Sequence, residues 1–462
     1  MNRNQEMLAY VNENINRFQS ELMELVKIPS ISTAPAHTDD MQATAQWIQK
    51  YLTKLGYKSE IFPTAKHPIV FAESPDPETQ GNRLCPTVLI YGHYDVQPSD
   101  PDDAWDSAPF TPTIVNRKMF GRGTSDMKGQ FIATAAAAEA FRKFYPDRIK
   151  LKFLIEGEEE IGSPNFETFL KEHKEMLKAD VALNPDAGMI SKDIPMITLG
   201  LRGIAFFELT VFGPNRDLHS GSYGGVIENP IHILGKIIGN LHNEKGKINI
   251  PGMYDDVIDL PDSERESINL ISTNEASIRT QTGVPEVWGE EHYTIPERIG
   301  VRPSLSVNGI FGGYSGNGSK TIIPSSATAK ISIRLVKNQD PKIIEKQIRE
   351  YFKQVMPKTV TWEMTNYSGS KAAKTNPNHP SNQAMIKALE EIWSKKTVYK
   401  MEGGSISVVN TMETVLGLES ILTGFGLAGD KIHSPNESLD LDCWEMGIKA
   451  LSLFFSHYCE QQ

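Results

Sequence analysis

An α/β fold carrying an inserted α+β domain is what this sequence predicts, and three observations carry that expectation. Unbroken apolar runs such as Thr87-Val-Leu-Ile-Tyr91, of the kind buried on both faces of a parallel sheet, alternate with amphipathic helical stretches. Near residue 200 the pattern changes to strands that alternate apolar and polar side chains, and near residue 375 it reverts. At 462 residues the chain also exceeds what one core ordinarily fills.

The elements follow in order. Leu8, Val11, Ile15, Phe18, Leu22 and Leu25 recur every three or four positions and predict a helix over 4–26. Trp47, Ile48, Tyr51 and Leu52 share one face of a second helix, Met41 to Leu55, stopped by Gly56. Ser59–Phe62, Ile69–Ala72 and Thr87–Tyr91 read as strands, Ala133–Phe144 as an alanine-rich helix, and Ile149–Ile155 and Val181–Leu183 as further buried strands. Together they predict a mixed, mainly parallel sheet flanked by helices. Beyond residue 200, Ile204–Phe212 and Ala327–Val336 alternate like half-buried strands, helices are expected at 229–241 and 341–355, and a strand at 359–365. Residues 244–300 read as an irregular surface excursion. The polar stretch Ser368–Ser381 marks the return, followed by a helix at 383–394, a strand at Ser420–Thr423 and a last helix, Leu441–Tyr458. One domain therefore comprises 1–200 and 375–462, and the inserted one 201–374.

Composition excludes several function classes. An apolar content of 39% with 23% charged residues is that of an ordinary globular protein. A net charge of -11 argues against nucleic acid or an anionic membrane as a partner. Cys85, Cys443 and Cys459 form neither a disulfide framework nor a CxxC pair. No apolar run reaches the roughly 18–20 residues of a membrane span, and the first residues lack an apolar signal core. A cytoplasmic location is expected.

The chemistry concentrates where apolar runs end. Tyr91-Gly-His-Tyr-Asp95, Glu156-Gly-Glu-Glu-Glu160 and Asn184-Pro-Asp186 each follow a predicted strand, and Gly121-Arg-Gly-Thr-Ser-Asp126 precedes a helix. In open α/β sheets ligands gather beyond the carboxyl ends of the strands. His93 and Asp95, two apart in extended backbone, point the same way, so a carboxylate can fix the tautomer of a metal-bound imidazole. Adjacent acids such as Glu158, Glu159 and Glu160 repel one another in a confined place unless cations neutralise them. Lys431-Ile-His433-Ser-Pro-Asn-Glu437, far downstream, supplies a second imidazole. Two imidazoles and several carboxylates suit a pair of zinc-like ions, whose residual positive charge would activate a shared water.

Each motif has a plainer reading. Ser125 or Asp126 could cap the following helix, Asn184-Pro185-Asp186 could be an ordinary turn, and His433 an exposed loop residue. His219, beside the glycine-rich Gly221-Ser-Tyr-Gly-Gly225, and the anion-presenting Gly403-Gly-Ser405 are further candidates. Rival motifs fail: Ser125-Asp-Met-Lys128 lacks its SDN and KTG partners, and Gly313–Thr321 has Gly-Ser-Lys where a phosphate loop needs Gly-Lys-Ser/Thr.

Gly92-His-Tyr-Asp-Val-Gln-Pro98, Gly121-Arg-Gly-Thr-Ser-Asp-Met-Lys-Gly129, Asp217-Leu-His-Ser-Gly221, Ser332-Ile-Arg-Leu-Val336 and Glu402-Gly-Gly-Ser-Ile406 occur in this order along the chain. In these motifs the chain resembles the di-metal aminopeptidase-like family of dipeptidases and deacylases, in its cytosolic nonspecific dipeptidase and carnosinase branch. The resemblance implies that His93 and Asp186 hold one divalent ion and Glu160 and His433 the other, with Asp126 bridging. It implies two zinc ions, or manganese in their place, sharing a hydroxide that attacks the peptide bond of a dipeptide or short peptide. Asp95 would orient His93, and Glu159 would be the general base, on aligning Glu159-Glu-Ile-Gly-Ser163 with the family pattern. A cis peptide is implied at Asp126–Met127. His219 would contact the developing oxyanion, and Arg334, Gly404 and Ser405, with Asn308 and Thr321 nearby, would bind the substrate's carboxylate. The inserted domain would then serve as lid and dimerisation domain of a homodimer. Two rivals remain: an N-acyl-amino-acid deacylase using the same centre, and a non-catalytic metal- or peptide-binding protein that keeps the fold.

Overall fold

The buried run at 87–91 becomes the strand Thr87–His93, in which every residue from Val88 onward is buried. In the computed structural model this strand lies inside a sheet ordered Lys58–Phe62, Ile69–Glu73, Lys150–Glu156, Thr87–His93, Val181–Asn184, Ser420–Leu422 and Met196–Leu201. The structure describes residues 2–77, 85–146, 148–271, 273–404 and 407–460. Lys150–Glu156, Thr87–His93, Val181–Asn184 and Ser420–Leu422 run parallel, while the strands outside them pair antiparallel. The predicted mixed sheet is therefore present, but it is parallel only at its centre and antiparallel towards both edges, so it is not mainly parallel.

Helices cover this sheet. Lys128–Phe144, buried along most of its length, packs against both Arg3–Val26 and Leu441–Glu460. An all-round buried helix needs apolar or small residues on every face, which explains the alanines at 133 and 135–138. Phe131 on this helix meets Tyr51 of Thr38–Lys54 and Phe153 of the sheet edge-to-face, at centroid distances of 6.1 and 6.3 Å. Pro380–Trp393 packs on Leu441–Glu460.

The chain forms two compact units, residues 1–199, 375–399 and 407–462 in one, 200–374 and 400–406 in the other. The segment 400–406 thus groups with the second unit, a detail that the division at 374/375 does not contain. In the second unit a four-stranded antiparallel sheet is ordered Ser304–Gly312, Ser326–Leu335, Gly203–Phe212 and Thr361–Ser370. Ala205, Phe207, Leu209 and Val211 alternate on one face and form a core with Ile233, Leu234 and Ile237 of the helix Pro230–Gly239 and Ile344, Ile348 and Phe352 of the helix Pro341–Val355. This is the expected α+β architecture.

Residues 244–300 depart from the sequence reading. They contain the helices Asp262–Asn269, Glu275–Thr282 and Ile295–Gly300. Among the described residues, no helix is long and apolar enough to cross a membrane.

Candidate metal centre

Parallel strands release their chains at one edge of a sheet, and the site starts there. His93, the last residue of its strand, pairs in register with Glu156, the last residue of the neighbouring strand, while Ile90 pairs with Leu183. Asp95, the acids 158–160 and Asp186 therefore leave the sheet from the same edge. Asp126 arrives differently, from the loop before Lys128–Phe144. That helix begins after Met127 with no side-chain cap, so neither Ser125 nor Asp126 takes the capping role that the plainer reading gave them. The Asp126–Met127 peptide is cis. Gly129 lets the loop fold back on the helix start, because a Cβ there would sit 2.1 Å from the Thr124 carbonyl oxygen.

The five predicted ligands come together in two groups that share one member. Ligating atoms of His93, Asp126 and Asp186 lie within 4.8 Å of one another, and so do those of Asp126, Glu160 and His433. The two oxygens of Asp126 face opposite ways, Oδ1 3.2 Å from Nε2 of His93 and Oδ2 2.8 Å from Nε2 of His433. Nε2 of His93 is 3.8 Å from Oδ2 of Asp186, and Nε2 of His433 is 3.4 Å from Oε1 of Glu160. Donors bound tetrahedrally at about 2.0–2.2 Å stand roughly 3.4 Å apart, so both groups fit an ion with little movement. Nε2 of His93 and Oε1 of Glu160 are buried with no hydrogen-bond partner among the described residues. Buried polar atoms are rarely left unpaired, and a cation at each group would satisfy both. The donor set, imidazole and carboxylate, suits divalent metal ions.

The electrostatics point the same way. The facing carboxylates of Asp126 and Glu160 push the His433 imidazolium up to about 10. His93 is held well above its usual range: burial opposes its charge, but Asp126, Asp186 and Asp95 outweigh it. Burial likewise pushes Asp126 up, yet the two imidazoles prevail and hold it well below the carboxylate range. Burial raises Glu159 to about 9 and Asp186 to about 6, reinforced at both by the neighbouring carboxylates. This cluster demands positive charge. Protons meet that demand when no cation does.

Around these two groups, the remaining acids have different partners. The fully buried carboxylate of Asp95 accepts the backbone N–H groups of Glu159 and Glu160 at 3.2 and 3.0 Å. Nδ1 of His93 lies 3.0 Å from the carbonyl oxygen of Asp95 and 3.4 Å from its Oδ1. Asp95 thus ties the His93 strand end to the acidic turn as well as facing the imidazole. Glu158, buried, is committed elsewhere: it accepts from the Thr64 hydroxyl at 2.7 Å, the His67 N–H at 2.9 Å and the Asn165 side-chain amide at 2.8 Å. Of the two candidates for a proton carrier, Glu159 is the one without such a set. Asp186 also fulfils its plainer reading, since its N–H bonds the Asn184 side chain at 2.9 Å in a local turn.

The remaining candidates lie in the second unit, apart from Ser405, which falls outside the described residues. His219 caps a short helix, its Nδ1 accepting the Gly221 N–H at 3.0 Å. Asn308 sits at an irregularity in the pairing of Ser304–Gly312, where the register shifts between Val307 and Gly309. The Thr321 carbonyl accepts the Ser220 N–H at 3.1 Å. Arg334, half-buried on Ser326–Leu335, stands opposite Ile204 and Ser304, and burial lowers its pKa. The Gly404 carbonyl accepts the Arg202 N–H at 3.1 Å.

Three residues escaped the sequence reading. Arg202 holds the 402–404 segment through a 3.0 Å bond from Nε to the Gly403 carbonyl, and burial together with the charge of Arg334 lowers it to about 10. Gln97 donates to Oε2 of Glu160 at 2.7 Å, fixing the other face of that carboxylate. Glu437 binds the Asp126 loop. The sequence showed Gln97 and Glu437 only as members of motifs, with nothing to mark their partners.

Known proteins supply an independent comparison. Residues 89–457 match the family profile described as Peptidase family M20/M25/M40. The chain is 32% identical over 463 residues to the Cys-Gly metallodipeptidase dug1 of Schizosaccharomyces pombe, covering 96% of both chains. It is 30% identical over 394 residues to the Beta-Ala-His dipeptidase of Homo sapiens, covering 84% of this chain and 77% of that one. Among solved structures it resembles the M20 family metallo-carboxypeptidase Sso-CP2 of Sulfolobus solfataricus, with a TM-score of 0.85, 32% identity and coverage of 96% and 99% of the two chains.

Proposed function

The chain belongs to peptidase family M20/M25/M40, and from that premise we propose that it is a metal-dependent dipeptidase working through a pair of divalent ions. The observation that carries the reading is the Asp126 carboxylate, whose two oxygens face His93 on one side and His433 on the other. His93 and Asp186 would hold one ion, Glu160 and His433 the second, and Asp126 both; zinc is the proposed metal, with manganese as its substitute. When bound, such a pair lowers the pKa of a water between its ions and polarises a carbonyl oxygen.

Glu159 would take the proton from the attacking water and return it to the departing amine. Its high proton affinity in the metal-free cluster comes from burial and three nearby carboxylates, and cations beside those carboxylates would bring it down towards the working range. Asp95 would keep Glu159 and Glu160 in place through their backbone N–H groups. Arg334, with Gly404, Ser405, Asn308 and Thr321, is proposed to bind the substrate's terminal carboxylate, and His219 the developing oxyanion. These roles are supported by the motifs around them. The second unit is proposed as lid and dimerisation domain of a cytoplasmic homodimer, as the resemblance to the dipeptidase branch suggests.

The test is a panel run on zinc- and manganese-reconstituted protein: dipeptides, their C-terminal amides, and N-acetyl amino acids. Dipeptides should be cleaved at least tenfold faster than their amides and than the acetylated compounds. Preferential hydrolysis of acetyl amino acids would make the protein a deacylase instead, and metal uptake with no turnover on any substrate would make it a binding protein.

A further inference from the structure

His433 and Asp126 lie on loops from distant parts of the sequence, and one buried carboxylate joins those loops. Glu437, four residues beyond His433, is 0% exposed. One of its oxygens accepts from Nη1 of Arg122 at 2.7 Å and from the Gly123 N–H at 3.1 Å. The other accepts the backbone N–H groups of Ser125 at 3.0 Å and of Asp126 itself at 3.1 Å. Its carbonyl takes the Gly121 N–H at 2.9 Å. Every donor therefore belongs to the segment from Gly121 to Asp126. Arg122 balances the buried charge at 2.7 Å and reaches on to the Pro98 carbonyl at 2.9 Å.

The rest of the His433 loop is closed around the same residue. The Ser438 N–H bonds the Asp430 carbonyl at 2.9 Å and the Ser434 N–H the Lys431 carbonyl at 2.9 Å. Asn436 is fixed from outside by the Asp106 N–H at 2.8 Å. With its base and neighbour held, the loop has little freedom to move against Glu437.

We propose that Glu437 is a positioning residue for the metal pair, acting through Asp126 and His433 without touching an ion. Binding the backbone N–H of Asp126 fixes the angle at which its two oxygens are presented. Anchoring the His433 loop to the same carboxylate makes both ligands one geometric unit. Metal bonds tolerate only about 0.2 Å of displacement, and partners of ligands commonly govern affinity about 10–100-fold. The inference rests on the two-ion reading.

Glu437→Gln keeps the shape but turns an NH2 group towards N–H donors on one side; Glu437→Asp keeps the charge and withdraws it by one methylene. The experiment measures zinc affinity and stoichiometry by competition with a chromophoric chelator on full-length, metal-stripped protein, and the unfolding midpoint with chelator and with zinc. Expected for Glu437→Gln is a 10–100-fold loss of zinc affinity, with two equivalents still bound at saturation and a midpoint that falls more in zinc than in chelator. Should that variant not fold, Glu437→Asp carries the same test, with a loss of at least fivefold. Affinity within twofold of the parent, or equal falls in midpoint with and without zinc, would overturn the proposal in favour of a merely structural role. A parent chain that takes up no zinc overturns the two-ion reading with it, whereas two equivalents bound by parent and variant with the same affinity overturn the role of Glu437 alone.

Discussion

At the scale of single residues, Glu159 and Glu160 differ in surroundings although they are neighbours: Gln97 and His433 face Glu160, while Glu159 stands among carboxylates. Glu159→Gln should bind the same amount of zinc yet lose turnover by roughly 10²–10⁴-fold, the usual yield of a general base; activity near that of the parent would refute its role. Zinc binding should also release protons at neutral pH, since His433 sits near 10 and His93 is raised while carboxylates alone surround them. Affinity must therefore fall as pH falls. Calorimetry in buffers of different ionisation heat checks the release, and a buffer-independent heat would contradict it. The candidate ligands His93, Glu160 and Asp186 were legible because each sits just past an apolar run, and Asp126 and His433 because of the motifs around them. Gln97, Arg202 and Glu437 were not, since their partners lie far away in sequence or in the backbone and only the folded chain brings them near.

At the scale of elements, the helix Lys128–Phe144 is anchored at its start by a buried amine. Nζ of Lys128 bonds the carbonyls of Leu25 and Ile28 at 3.2 and 2.7 Å, closing the C-terminal end of Arg3–Val26. Burial lowers this amine to about 7. The unfolded chain keeps an ordinary lysine near 10.4, so between about pH 7 and 10.4 it binds more protons than the folded one. This group's contribution then makes stability rise with pH across that window. Lys128→Met should flatten the rise seen in denaturant unfolding between pH 7 and 9.5; an unchanged slope would show that Lys128 does not titrate there. Element prediction succeeded where periodicity was strong and failed where it was absent. Asp262–Asn269 buries only Ile268 and Glu275–Thr282 buries nothing, so neither has an apolar stripe to read. Their neighbourhood did carry another signal, the capping boxes Asn274-x-x-Ser277 and Thr294-x-x-Glu297.

For the whole molecule, two units with separate cores predict separable failures. Phe207 is 0% exposed at the centre of the second unit's core. Phe207→Ala should cost about 3–5 kcal/mol there, visible as an earlier calorimetric transition, while zinc affinity in the first unit stays within twofold. A parallel collapse of zinc binding would show the units to be energetically inseparable. The inserted architecture was legible because alternation in strands and unbroken runs are different patterns. The allocation of 400–406 was not, because a short segment crossing between units has no compositional mark.

The arrangement at Asp126 also bears on how the protein would respond to scarcity. With one carboxylate serving two neighbours, the first ion would draw charge from the oxygen offered to the second and repel it, so the two would be taken up with unequal affinity. Such a centre fills in steps as free metal rises, the second ion entering last and leaving first. At scarce zinc the protein would then be found largely half-filled, each occupancy distinguishable by its mass in native mass spectrometry.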